Sequence, residues 1–281
     1  MRILNDCCIF VTNSVTLEGK RAALAQVLEN FDFNSAVFDR DLAANLKSLE
    51  SLSKVASDRL AAIIRSPKFQ DWMASPGSEV LFINCVSQGS VQDNPATFLC
   101  AHFVHAVRTN FTHCDALGFF CKEHWKDTDP NYGAAGLLRN LLGQLLLRFP
   151  DLDCSRLKKR AWKKLFDVDS LYVAIESLLA QLTPEVVLFC AIDGIILYEE
   201  RESAYKEVEE AIEFLVDLSK RPDVCAFKLI MTCSWNSRKF YKLMPNQDQN
   251  VLWIPSKVPA QARLTSTSWK AFLETNFHFL R

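Results

Sequence analysis

SEVLFINC (78–85), VSQGSVQDNP (86–95) and ATFLCAHFVHAVRTN (96–110) follow one another without interruption. The first piece is a short apolar run of strand type. The second is a polar loop carrying Gly89, Ser90 and Pro95. The third is apolar almost all round and reads as a buried helix. Strand, glycine-bearing loop and helix outline an element that cradles phosphate with backbone amides at a helix N-terminus. No lysine occurs between Lys68 and Lys122. The outline therefore predicts a nucleotide-binding fold that lacks its usual cation.

Downstream of this element, strands and helices alternate. Apolar runs at 116–121 (ALGFFC), 186–192 (VVLFCAI), 227–233 and 251–254 read as four more strands. Helical spacing marks 133–149, 154–165, 168–182, 204–219 and 268–275, with Pro150 ending the first of these. Strands that are apolar throughout are buried on both faces, as in a parallel sheet between helical layers. The predicted fold class is thus α/β, a three-layer sandwich with a mostly parallel five-stranded sheet. Upstream, 16–30 and about 40–65 carry leucines at helical spacing and predict a helical hairpin ahead of the main domain. Ser66-Pro67 closes it with a serine cap and a first-turn proline. The resulting division is an N-terminal helical region (1–65), the α/β domain (66–256) and a C-terminal helical tail (257–281).

Of the 281 residues, 49% are hydrophobic and 23% charged, enough apolar material for a sizeable core. A net charge of −1, from 32 basic and 33 acidic residues, argues against whole-molecule steering to nucleic acid or anionic membrane. Ten scattered cysteines with no CxxC pair suit a reduced, cytoplasmic setting better than a disulfide framework. Neither a secretory signal nor a membrane-spanning apolar run is visible.

In parallel α/β sheets, ligands bind at the carboxyl ends of the strands. Three polar groups fall there: the loop after Cys85, Asp193 after the third strand, and Thr232 to Arg238 after the fourth. An acid ending a buried strand, as in VVLFCAIDG (186–194), is the pattern of a carboxylate that holds magnesium beside phosphates. Thr232 is positioned to sense a terminal phosphate, and Arg238 to pair with it as a fork donor. Gly89, Ser90 and Thr97 are the nucleotide-binding candidates of the first element. A working phosphate loop reads G-x-x-x-x-G-K-[ST]. Here Cys85 stands where the first glycine would fall, and Asp93 puts negative charge where phosphates would lie. A like charge at ~4 Å costs on the order of 1–4 kcal/mol in wet to half-wet surroundings.

Six phrases carry a family resemblance: SPKFQDWMASPGSEVLFINCVSQGS (66–90), PATFLCAHFV (95–104), LGFFC (117–121), GAAGLLRNLLGQLL (133–146), VVLFCAIDGIILYE (186–199) and FKLIMTCSWNSR (227–238). In order and spacing they resemble the degenerate P-loop modules of fungal NACHT-like signalling proteins, within the STAND group of nucleotide switches. The resemblance covers roughly residues 60–256. It implies a sheet ordered 5-1-4-3-2 with nucleotide at the tip of the first strand. It also implies Asp193 as the Walker B acid and magnesium ligand, and Thr232 and Arg238 in the sensor segment. Glu199 or Glu200 comes closest to a second catalytic acid, although the five or six intervening residues exceed the usual spacing. The chain ends soon after the fifth strand, so no long sensor array is expected.

His102, His105, His113, Cys114, Cys121 and His124 crowd one region, but their spacing is irregular for zinc. RLKKRAWKK (156–164) carries six positive charges in nine positions and reads as a solvated helix face, with polyanion binding as the sharper alternative. The sequence thus predicts a cytosolic signalling or protein-interaction module with weak or no nucleotide binding. Protein partners are expected, a homo-oligomer is left open, and nucleic acid is not expected. The competing readings are an ATPase that uses ATP or ADP with magnesium through a divergent loop, and a polyanion binder acting through 156–164.

Overall fold

The computed structural model describes residues 24–29, 33–47, 49–86, 94–154, 167–221, 225–261 and 264–276. Gly89, Ser90, Asp93 and the basic stretch 156–164 lie outside the described residues, as does the first half of the helix expected over 16–30. In chain order the elements are α1 (24–29), α2 (Ser35–Asn45), α3 (Lys54–Arg65), α4 (Pro67–Ala74), β1 (Glu79–Cys85), α5 (Pro95–Asn110) and β2 (Cys114–Phe120). They continue with α6 (Gly133–Arg148), α7 (Val168–Leu179), β3 (Val187–Asp193), α8 (Glu202–Leu218), β4 (Ala226–Cys233), β5 (Val251–Ile254) and α9 (Ser266–Asn276).

All five strands are parallel, in the order β2-β3-β4-β1-β5. Read from the other edge this is 5-1-4-3-2, as the resemblance implies. Side chains alternate across the sheet and feed two separate cores. Val80, Phe82, Leu188, Cys190, Ile192, Leu229 and Met231 face the layer of α6, α7 and α8. Leu81, Ile83, Phe189, Ala191 and Ile230 face the layer of α3, α4 and α5, which α2 and α9 extend. β2 and β3 are buried on both faces, as are β1 and β4 beyond their first residues, which is why they read as largely apolar runs; edge strand β5 leaves Trp253 exposed.

The stretch read as one helix over 40–65 is broken. Asn45 turns its side chain back onto the Asp41 carbonyl (2.8 Å), offering the chain an alternative to the next helical bond. A 3-10 turn, Leu49–Ser51, follows, and Ser53 then caps α3 by accepting from the Ala56 amide (3.2 Å). Asn94 does the same for α5, accepting from Ala96 N (3.0 Å) with Pro95 at the first helical position.

The outer edge of β2 is closed by side chains. The buried Gln144 amide accepts from Gly118 N (2.9 Å) and donates to Gly118 O (2.7 Å). Arg108 Nε donates to Ala116 O (2.6 Å), and Asp115 accepts from Ala116 N (2.7 Å). At the opposite edge, Lys68 donates to Val251 O (2.7 Å).

At the amino end of the sheet Lys228 is wholly buried (0% exposed). Its ammonium donates to the Trp72 and Met73 carbonyls (2.7 and 3.1 Å) at the end of α4. It lies 5.7 Å from the Trp72 ring centre and 5.8 Å from that of Phe189. Burial lowers its pKa to about 8, against the pull of Glu79.

Candidate functional site

At the carboxyl end, β3 finishes on Asp193. The register Ile192↔Met231 places Asp193 beside Thr232 of β4, and the first turn of α5 brings Thr97 over both. Thr97 Oγ1 donates to Asp193 Oδ2 (2.7 Å), and Thr232 Oγ1 donates to Asp193 Oδ1 (2.5 Å). Thr232 Oγ1 in turn accepts from Gly194 N (3.2 Å). Gly194 sits at φ +76°, in the left-handed region that favours glycine. This turn lets Gly194 N and Ile195 N both reach the Thr232 carbonyl (3.1 Å each). Three elements thus meet on one carboxylate that is 2% exposed.

Burial raises the Asp193 pKa; the hydroxyls of Thr232 and Thr97 and the charge of Lys122 work the other way, while Glu123 adds to the rise. The thiols of Cys100, Cys121 and Cys233 surround this centre, and burial pushes all three well above the usual thiol range. Asp193 and Thr97 are hard oxygen donors of the kind magnesium takes, but both carboxylate oxygens already accept a hydroxyl. As arranged, the centre does not fit a magnesium ion. Among the described residues no group of three or more His, Cys, Asp or Glu side chains is placed to hold a metal.

Glu199 ends a short helical turn, Ile196–Glu199, and faces a different segment. It accepts from Ser237 Oγ (2.6 Å), Phe240 N (3.3 Å) and Arg238 N. Its carboxylate folds the 237–240 turn and has no hydrogen bond to the Asp193 centre. The Arg238 side chain is exposed and makes no hydrogen bond or ion pair among the described residues. With its amide oriented to suit its neighbours, nitrogen towards Trp235 O (2.5 Å) and oxygen towards Ser237 N (3.2 Å), the buried Asn84 ties β1 to this turn. Of the sequence candidates, then, the structure joins Asp193, Thr97 and Thr232, and holds Glu199 and the Arg238 backbone together in a second cluster.

Two basic groups beside the centre escape sequence reasoning. Arg59, 3% exposed, reaches from α3 to the tip of β1. It donates to Cys85 Sγ (3.0 Å), Pro255 O (3.2 Å) and Val86 O. In the sequence it is one arginine on an amphipathic helix, where a solvated position is the default. Lys122 lines a narrow cleft with Asn45, Lys47, Asn94 and Thr97. It is exposed and lies in a 3-10 turn, Cys121–His124, that follows β2.

A five-stranded parallel sheet in this order, with an acid ending β3 and a hydroxyl in the first turn of the helix after β1, defines a P-loop NTPase-like module. The family described as nephrocystin 3, N-terminal, matches residues 59–234, more than half of the chain, and the chain belongs to that family. No curated relative matches the chain. Among solved structures it is similar to the Aeropyrum pernix ORC1 protein in complex with DNA, at 10% identity and a TM-score of 0.36. The similarity covers 79% of this chain and 48% of that one, so the chain spans about half of the ORC1 length. No helix among the described residues is long and apolar enough to cross a membrane.

Proposed function

We propose that this chain is a NACHT-like module of STAND type whose phosphate loop has lost its function, and that it serves in the cytoplasm as a signalling or protein-interaction module with weak or no nucleotide binding. The observation that carries this reading is the Asp193 carboxylate, each of whose oxygens accepts a threonine hydroxyl, from Thr97 and Thr232. In the G-K-[ST] pattern the lysine immediately precedes the hydroxyl. The residue before Thr97 is Ala96, whose methyl is wholly buried against the α3–α5 layer. The position that would neutralise phosphate therefore carries core packing. The near-zero net charge supports proteins as partners over nucleic acid.

The second reading, a nucleotide binder with a divergent loop, draws on Lys122. Its charge acts on Asp193 and it shares a cleft with Thr97. A thermal-shift titration separates the two. Under the first reading, millimolar magnesium–ATP leaves the melting temperature unchanged. A rise that Asp193→Asn and Lys122→Ala both abolish would overturn it in favour of the second.

A further inference from the structure

His124 ends the turn after β2, with its ring 1% exposed and stacked on Phe119 at 5.2 Å. Both ring nitrogens face carboxylates. Nε2 lies 2.8 Å from Asp41 Oδ2, and Nδ1 lies 3.2 Å from Asp129 Oδ1. Asp41 belongs to α2, and Asp129 to the loop that leads to α6. A neutral imidazole has one donor and one acceptor, whereas an ionised carboxylate only accepts. Only the imidazolium satisfies both contacts at once.

We propose that α2 is fastened to the tip of β2 by a proton: imidazolium His124 bridges Asp41 and Asp129, and loss of that proton loosens the C-terminal half of α2. The charged neighbours support a cation at this place. On α2, Arg40 donates to the other Asp41 oxygen (3.2 Å) but is itself exposed. On the turn, Glu123 accepts from Asn45 of α2 (3.4 Å), and Lys122 is exposed. Towards α8, Arg201 stacks over Trp125 at 4.8 Å, and the Tyr198 hydroxyl donates to the His124 carbonyl (3.0 Å). Asp129 also holds Asn131 N (2.7 Å), so the loop side stays fixed when the proton leaves. The N-terminal half of α2 is fastened otherwise, with Phe38 under the Arg108 guanidinium (4.1 Å).

Burial disfavours the charged ring, but the contacts to Asp41 and Asp129 outweigh it and raise the pKa above 6.5. With the docked value above the undocked one, docking is strongest below pH 6.5 and weakens as pH rises through the raised value. The latch is independent of whether the Asp193 centre binds nucleotide.

Hydrogen exchange of the full chain at pH 6 and pH 8, corrected for intrinsic rates, tests this together with an NMR titration of His124. Protection of residues 41–45 should fall relative to β3, by about tenfold for each unit separating the docked and undocked pKa values. Asp41→Asn should make the protection independent of pH and bring the His124 pKa down. Equal protection at both pH values in the unmodified protein, or His124 titrating at or below 6.5, overturns the proposal. These two readings need no variant, so they decide even if Asp41→Asn fails to fold.

Discussion

Asp193 and Lys228 lie at opposite ends of one sheet, both removed from solvent. Each is a charge that burial pushes towards neutrality: the acid upward, the lysine down to about 8. They differ in what satisfies them. Lys228 is met by the backbone carbonyls of Trp72 and Met73, which cannot turn away without unwinding the end of α4. Asp193 is met by two threonine hydroxyls, which rotate about χ1. The amino end is therefore built as permanent structure. Among the described residues, the carboxyl end is closed by side-chain hydroxyls alone, with no backbone group on the carboxylate.

Removing the permanent anchor should have the largest effect. Lys228→Ala strands two buried carbonyls and leaves a cavity, and should cost about 3–5 kcal/mol in urea unfolding. Lys228→Met keeps the volume and should cost about 1–3 kcal/mol. If the two variants are equally destabilised, the carbonyl contacts matter and the stem does not.

The alkaline range sharpens the contrast further. The eight cysteines described in the structure are buried, and their pKa values are raised. The native state therefore keeps thiol protons that the unfolded chain releases, and stability falls as pH rises above 9.0, the ordinary thiol value. Lys228 opposes this. Between about 8 and 10.5 the unfolded chain holds the lysine proton and the native state does not, so this one residue adds stability as pH rises. The melting temperature should decline from pH 8 to pH 10, and more steeply in Lys228→Met.

The smallest effect belongs to the carboxyl end. Asp193→Asn keeps a hydrogen-bonding group between Thr97 and Thr232 and should change stability by about 1 kcal/mol or less at pH 4. Because the native carboxyl binds its proton more tightly than the unfolded one, Asp193 costs stability as pH rises above 3.8. Relative to the unmodified protein, the variant should gain with pH in that range. A difference that stays flat with pH would mean that Asp193 titrates normally.

The strands were legible because burial on both faces leaves an unbroken apolar signature, as in VVLFCAI (186–192). Asp193 and Thr232 were legible as strand-end residues because each lies at the end of such a run, and parallel strands align their ends; the hydrogen bond between them was not. Glu199 came closest to a second acid by type, although too far along the chain, and its partners are the Ser237 hydroxyl and the Arg238 and Phe240 amides, which no local pattern reveals. Lys228 inside FKLIM, Arg59 on α3 and His124 among scattered histidines were equally opaque. Each is explained only by what another element brings to it: the end of α4, the tip of β1, or Asp41 of α2. The break between α2 and α3 depends on Asn45 and Ser53, short polar side chains whose capping role shows only once the helix axes are fixed.

The Gln144 amide occupies both backbone groups of Gly118 that would otherwise greet a sixth strand. The sheet consequently has a fixed width on that flank. A polypeptide arriving in extended form finds its hydrogen-bonding positions filled, so association along β2, whether useful or pathological, is barred unless α6 first withdraws. Contacts with other molecules on that side must be made through helical surfaces and loops, where side-chain identity rather than backbone pairing selects the partner.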